Sequence, residues 1–176
     1  MVTWPPYDVG AFMIPDIMAR DASTWPPQLA AVQELVIKYP SRGRENSGYD
    51  WSEYPRYAAR LIGLGVRLST VSAIAREVLA GALWRRAPRE TFWRRALLLQ
   101  DIYADVCLRE YQKSKPGLMT YHYHSVDTIS HWYWRSGQQE GAESAQVKCA
   151  YESADRELGK FLSTIDPTAH VLLVSD

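Results

Sequence analysis

The chain has 176 residues, long enough for one domain with a real core, and its 20 basic and 20 acidic side chains cancel. Zero net charge gives no general reason to expect nucleic acid or an anionic membrane as partner. No run of 18 apolar residues exists, so no membrane segment is read, and Met1-Val-Thr-Trp-Pro-Pro lacks the basic-then-apolar order of a signal peptide.

The first 50 residues are rich in turn formers. Trp4-Pro5-Pro6 and Trp25-Pro26-Pro27 echo one another without a matching continuation, so no repeat is read, and the prolines favour extended or loop backbone. Leu29, Val32, Leu35 and Val36 form one stripe and predict a short helix over about 27–38, followed by a polar loop over 40–48. From 50 to about 114 the pattern is helical. Tyr54, Tyr57, Ala58, Leu61 and Ile62 mark the first stripe, which Gly63 and Gly65 end. Ser69 is placed to cap a second helix with Val71, Ile74, Ala75, Val78 and Leu79 inward. Pro88 breaks that helix, and Thr91 caps a long third one carrying Trp93, Ala96, Leu97, Ile102, Val106 and Leu108. Fifteen of the basic residues are arginines, and five of them crowd 84–95. A solvated inter-helix turn over packed Trp84, Phe92 and Trp93 is the first reading; a docking patch for an acidic or phosphate-bearing group is the rival.

Pro116-Gly117 ends the long helix and releases an expected strand over 118–124. A helix with Val147, Ala150, Tyr151, Ala154, Leu158, Phe161, Leu162 and Ile165 follows and stops at Asp166-Pro167. A second strand is expected over 170–174. Strand, crossover helix and strand make a βαβ unit with parallel neighbours, so both strands end on one sheet edge. Asp127 and His131, four apart on the helix after the first strand, face one point, and Asp176 ends the second strand. Carboxylates and an imidazole converging at strand ends suit a divalent metal.

Each of these residues also has a plainer role. Asp127 suits a first-turn acid that interacts with the helix dipole. His131, in His131-Trp-Tyr-Trp134, suits a packed histidine, and Trp132, Tyr133 and Trp134 suit core more than pocket. His122 and His124 share one side of the expected strand and read as buried or supporting groups. Asp155 reads as a structural helix acid, and His170 starts a strand at the end away from the site. Cys107 and Cys149, 42 positions apart, fit no zinc or redox spacing and read as small buried apolar residues.

The order strand, Val126-Asp127-x-x-x-His131, Ala150-Tyr151-x-x-x-Asp155-x-x-Leu158-Gly159, then Val174-Ser175-Asp176 resembles the type I phosphodiesterase/nucleotide pyrophosphatase family of the alkaline phosphatase superfamily. Thr3-Trp4-Pro5, Gly10-Ala-Phe-Met-Ile-Pro-Asp16 and Thr24-Trp25-Pro26-Pro27-Gln28-Leu29 resemble further segments of bacterial members. The resemblance implies a partial three-layer α/β fold with a parallel sheet and a helix-rich insertion over about 45–115. Residues 1–176 are then one partial catalytic domain, with 117–176 as its βαβ unit. It implies a metal-dependent phosphoester hydrolase acting on a small-molecule phosphoester. Two divalent metal ions, zinc being the usual one, serve the complete protein. Asp127 and His131 match two ligands of one metal, and Asp176 matches a ligand of the other. The family's last strand reads Val-Ser-Asp-His-Gly, and the sequence stops one residue short of that histidine. The nucleophile and the first metal-binding Asp have no counterpart here, so the 176-residue chain alone is expected to be inactive, as a fragment. An incomplete sheet is also expected to leave 171–174 poorly covered. The alternatives are a helix-rich interaction module or a degenerate non-catalytic relative, in which His and Trp serve packing. The compartment is not readable from the sequence.

Overall fold

A computed structural model describes residues 5–15, 19–42, 54–84, 88–133 and 145–175. The described chain is helical. A 3-10 turn at Pro27–Leu29 leads into α1 (Ala30–Arg42), followed by α2 (Tyr54–Gly63), α3 (Leu68–Trp84), α4 (Pro88–Ser114), α5 (Ser125–Tyr133) and α6 (Ala145–Leu162). The parallel sheet, the three-layer α/β fold and the βαβ unit expected from the sequence are not present among the described residues. Among the described residues the one β pairing is an isolated antiparallel bridge between Met13 and Trp25.

The physical reason lies in where the backbone hydrogen bonds of the two expected strands go. Segment 118–124 has no regular secondary structure, and it leans on a side chain rather than on a neighbouring strand. Gln100 of α4 donates to the His122 carbonyl at 3.3 Å and accepts from the His124 amide at 3.3 Å. Segment 170–175 carries no strand pairing among the described residues, and Leu172 is 87% exposed. Val171, Leu173 and Val174 are exposed with it, so the expectation of a poorly covered 171–174 holds. Alternating or apolar sequence favours a strand only when a ladder partner exists to take its amides.

Helix α4 is the spine, and each half of it builds a core. Its C-terminal half packs Ile102 and Val106 against Leu29, Val32, Leu61 and Val66, gathering α1, α2 and the turn before α3. Its N-terminal half packs Ala96 against Ile129 of α5 and Val147 and Ala150 of α6, with Trp93 and Leu97 alongside.

Local expectations shift by a residue or two. Pro88 opens α4 rather than lying outside it, as a proline without an N–H to donate fits a first helical turn. Helix α1 runs on to Arg42, past the expected loop start at Pro40; the rest of that loop lies outside the described residues, as do Trp4, Asp16 and Trp134. Ser69 is not the cap of α3. That first turn is held instead by Asp105 of α4, whose Oδ2 accepts from the Arg67 amide at 3.0 Å and the Thr70 hydroxyl at 2.7 Å. Ile62, Leu79, Tyr151 and Leu162, expected inward, are exposed. On α6 the buried stripe is Val147, Ala150, Ser153 and Glu157, so two polar residues occupy the inner face.

Helix α2 ends as its glycines predict. Gly65 takes φ +94°, Val66 donates to the Leu61 carbonyl at 3.0 Å and Gly65 to that of Ile62 at 2.9 Å. This is the Schellman pattern, with Leu61 and Val66 packed in one cluster as its hydrophobic contact. Arg109 of α4 then caps the helix end by donating to the Gly63 carbonyl at 2.5 Å.

Candidate functional site

The segment that Gln100 holds, 118–124, leads directly into α5. Ser125, the first residue of that helix, is buried and donates to the Ala96 carbonyl of α4 at 3.0 Å. Ile129 is fully buried against Ala96, Val147 and Ala150. A nine-residue helix fixed by its first residue and its middle cannot rotate freely, so its opposite face is set. Asp127 and His131 lie there, one turn apart.

Asp127 Oδ1 and His131 Nε2 are 3.0 Å apart, with side chains 57% and 77% exposed respectively. Asp127 is in the first helical turn, as its plainer role requires, and it also reaches His131. The packed reading of His131 is set aside by its exposure. Trp132 is exposed too, its ring 5.3 Å from that of Phe92 at a tilt of 46°.

Asp176, the third candidate ligand, lies outside the described residues. Among the described residues no group of three or more His, Cys, Asp or Glu side chains is arranged to hold a metal. His122 and His124 stack edge to face with centroids 5.4 Å apart; His122 is exposed and His124 half-buried, so they are not both core. His170 is exposed, away from α5 in sequence and in secondary structure. Cys107 is buried, and that burial, reinforced by Glu157 and Glu110, pushes its thiol up to about 12, which makes it inert as a nucleophile. Cys149 is half-buried. In the arginine-rich stretch, residues 85–87 lie outside the described residues, while Arg94 pairs with Glu77 at 3.7 Å and lies over the Trp93 ring at 5.0 Å.

A groove of about 400 Å³ lies between residues 9–12 and the turn from Ser114 to Thr120. None of its lining side chains is titratable, so acid–base or metal chemistry has no foothold there.

Sequence reasoning missed the groups that build the support of α5. Gln100, Tyr121 and Glu157 form one buried network: Gln100 Nε2 donates to the Tyr121 hydroxyl at 2.6 Å, and that hydroxyl donates to Glu157 Oε2 at 2.8 Å. The signal was present. Gln100 falls on the apolar stripe between Ala96 and Ala104, and Glu157 falls four residues after Ser153 on that of α6. A polar residue in phase with a buried stripe marks a hydrogen-bonded interior site.

No helix among the described residues is long and apolar enough to cross a membrane. Neither the curated proteins nor the solved structures give a significant match to this chain. A family model does match: type I phosphodiesterase / nucleotide pyrophosphatase aligns with residues 21–176, through α5 and its Val126-Asp127-x-x-x-His131 motif. The chain belongs to the type I phosphodiesterase / nucleotide pyrophosphatase family, whose kind of chemistry is phosphoester hydrolysis.

Proposed function

We propose that this chain carries one half of the metal-binding apparatus of a phosphoester hydrolase, with Asp127 and His131 as two ligands of one divalent cation. The observation that carries the reading is the exposed pair itself, held at 3.0 Å on a helix whose other face is locked into the core. Two ligand atoms bound tetrahedrally to one zinc lie about 3.3 Å apart, given bonds of roughly 2.0–2.1 Å. The observed separation needs only a small adjustment to meet that. An imidazole with a carboxylate is a donor set suited to zinc, so the residues present fit the ion.

Asp176 is proposed as a ligand of a second cation. A divalent pair in this role stabilises the charge on a phosphoryl group and its entering and leaving oxygens. The chain's own contribution is positional. The buried face of α5 keeps Asp127 and His131 in register, and their exposure leaves them open to a small-molecule phosphoester from solvent. Two donors on one helix make a weak chelate by themselves, so the affinity of this pair depends on additional ligands. Turnover by the 176-residue chain alone is therefore not expected.

The interaction-module reading draws support from the all-helical described fold and from the exposed apolar segment 171–174. It requires His131 and Trp132 as packing residues, and both are exposed.

The test is a zinc titration of the chain followed by the side-chain resonances of its histidines. His131 is expected to respond first, and Asp127→Ala or His131→Ala to remove the response without changing the helical circular dichroism. A zinc response that persists in His131→Ala would sink the assignment. In any longer form of the protein that turns over a phosphodiester, the same two substitutions should abolish turnover.

A further inference from the structure

Glu157 is the third group of the missed network, and it is unusual among the buried acids. It is 2% exposed in the C-terminal half of α6. One oxygen accepts from Tyr121, and the other, Oε1, is buried without a hydrogen-bond partner. Glu77 and Asp105 also have an unbonded buried oxygen, yet each has an arginine in ion-pair range: Arg94 at 3.7 Å and Arg67 at 3.4 Å. No such cation reaches Glu157 among the described residues. Lys160, one turn along α6, is engaged by Asp101 at 3.0 Å.

A carboxylate in this setting is costly, while a carboxylic acid is not. The neutral form needs no cation and still accepts from the Tyr121 hydroxyl. Through that hydroxyl it is joined to Gln100, and Gln100 holds the backbone at His122 and His124. The Tyr121 ring packs on Phe161 of α6, centroids 4.6 Å apart. Three elements therefore meet at one proton site: α4, α6 and the segment 118–124.

We propose that Glu157, Tyr121 and Gln100 form a proton-dependent clasp that fastens segment 118–124 to α4 and α6 and so positions the start of α5. Its consequence for Asp127 and His131 rests on the metal reading above; the clasp itself does not.

Glu157 is pushed up from an ordinary 4.5 to about 7, chiefly by burial; the Tyr121 hydrogen bond and Lys160 oppose this, and Asp101 and Asp105 add to it. Cys107 of α4 and Tyr123 of segment 118–124 also feel Glu157, and on α6 Arg156 lies near Tyr123. The titratable groups of α5, Asp127 and His131, are exposed and pair with each other. Tyr121 is itself raised well above 10, by burial first and then by Glu157, so it remains a donor throughout the physiological range. Between 4.5 and about 7 the folded chain keeps a proton that the unfolded chain has released. The stability this gives is fully present below 4.5 and is lost as pH rises through about 7.

The experiment is denaturant unfolding of the full chain at pH 5 and pH 8, for wild type and for Glu157→Gln. The folding equilibrium constant of wild type should fall roughly 10- to 100-fold more than that of Glu157→Gln across this interval. Glutamine keeps the shape and the acceptor and cannot ionise. Parallel losses in the two proteins would overturn the clasp. If Glu157→Gln does not fold, hydrogen exchange on wild type decides. After correction for intrinsic exchange, protection of amides in 118–124 should drop at pH 8 more than that in α3, and a uniform drop would overturn it. A zinc titration read on His131 separates the two readings. A wild-type chain whose His131 never responds fails the metal assignment, whereas the pH and exchange results stand or fall on Glu157 alone.

Discussion

Two buried carboxylates, Asp105 of α4 and Glu157 of α6, are provided for differently. At the C-terminal core Asp105 accepts from the Arg67 amide and the Thr70 hydroxyl, and the Arg67 guanidinium stands 3.4 Å from its other oxygen. On α6, Glu157 has a single phenol donor and an orphaned oxygen. The first arrangement is a fixed joint: backbone, hydroxyl and cation all converge on one acid and hold the start of α3. The second is a joint whose strength depends on a proton, and it stands beside the helix that presents the candidate ligands. Incomplete pairing at Glu157 costs stability and leaves that joint adjustable.

The largest expected effect comes from breaking the fixed joint. Asp105→Ala strands the Arg67 amide and the Thr70 hydroxyl and frees the start of α3, at a cost of about 3 kcal/mol. Urea unfolding of the variant at pH 7 checks this. A loss below about 1 kcal/mol would show that solvent replaces Asp105 readily and that the corner is not a fixed joint.

The adjustable joint should break less severely at its hub. Gln100→Leu keeps the volume but removes partners from Tyr121, from the His122 carbonyl and from the His124 amide. Because 118–124 lies near the surface, water takes up part of that loss, and about 2 kcal/mol is expected. Hydrogen exchange should locate the damage in 118–124 and the first turn of α5, leaving α3 protected.

A smaller effect, back at the first corner, separates the turn from the acid. Gly65 has φ +94°, and a Cβ there would meet the Arg109 side chain that caps α2. Gly65→Ala should cost about 1–2 kcal/mol, and an added Arg109→Ala should relieve the steric part while losing the cap. Thermal unfolding of the single and double variants measures the coupling.

What the sequence made legible divides along the same line. The helical stripes of α2, α3, α4 and α6, and the glycine stop after α2, follow from local periodicity and backbone sterics. So does the pairing of Asp127 with His131, which needs only a helix and a spacing of four. The sheet did not follow, because a strand is defined by its partner. Segments 118–124 and 170–174 have strand-like composition, but the first gives one amide and one carbonyl to the Gln100 side chain and the second has no pairing among the described residues. Long-range polar support was also hidden. The hold of Asp105 on α3 spans 38 positions and that of Tyr121 on Glu157 spans 36, separations at which no window of local pattern applies. Yet Gln100 and Glu157 were visible as polar interruptions of apolar stripes.

The smallest expected effect on stability comes from the candidate ligands, and it is the one that best separates function from fold. Asp127 and His131 form an exposed pair one turn apart on α5, the kind of pair that adds less than about 0.5 kcal/mol. A double-mutant cycle with Asp127→Ala and His131→Ala should therefore give a coupling within that bound, unlike the cost of Asp105→Ala. The same substitutions should weaken zinc binding by about tenfold or more, since even a supporting partner of a ligand is commonly worth that much. If the cycle instead returned a coupling of about 2 kcal/mol with zinc affinity unchanged, the pair would be a structural clamp of α5 and the metal assignment would fall with it.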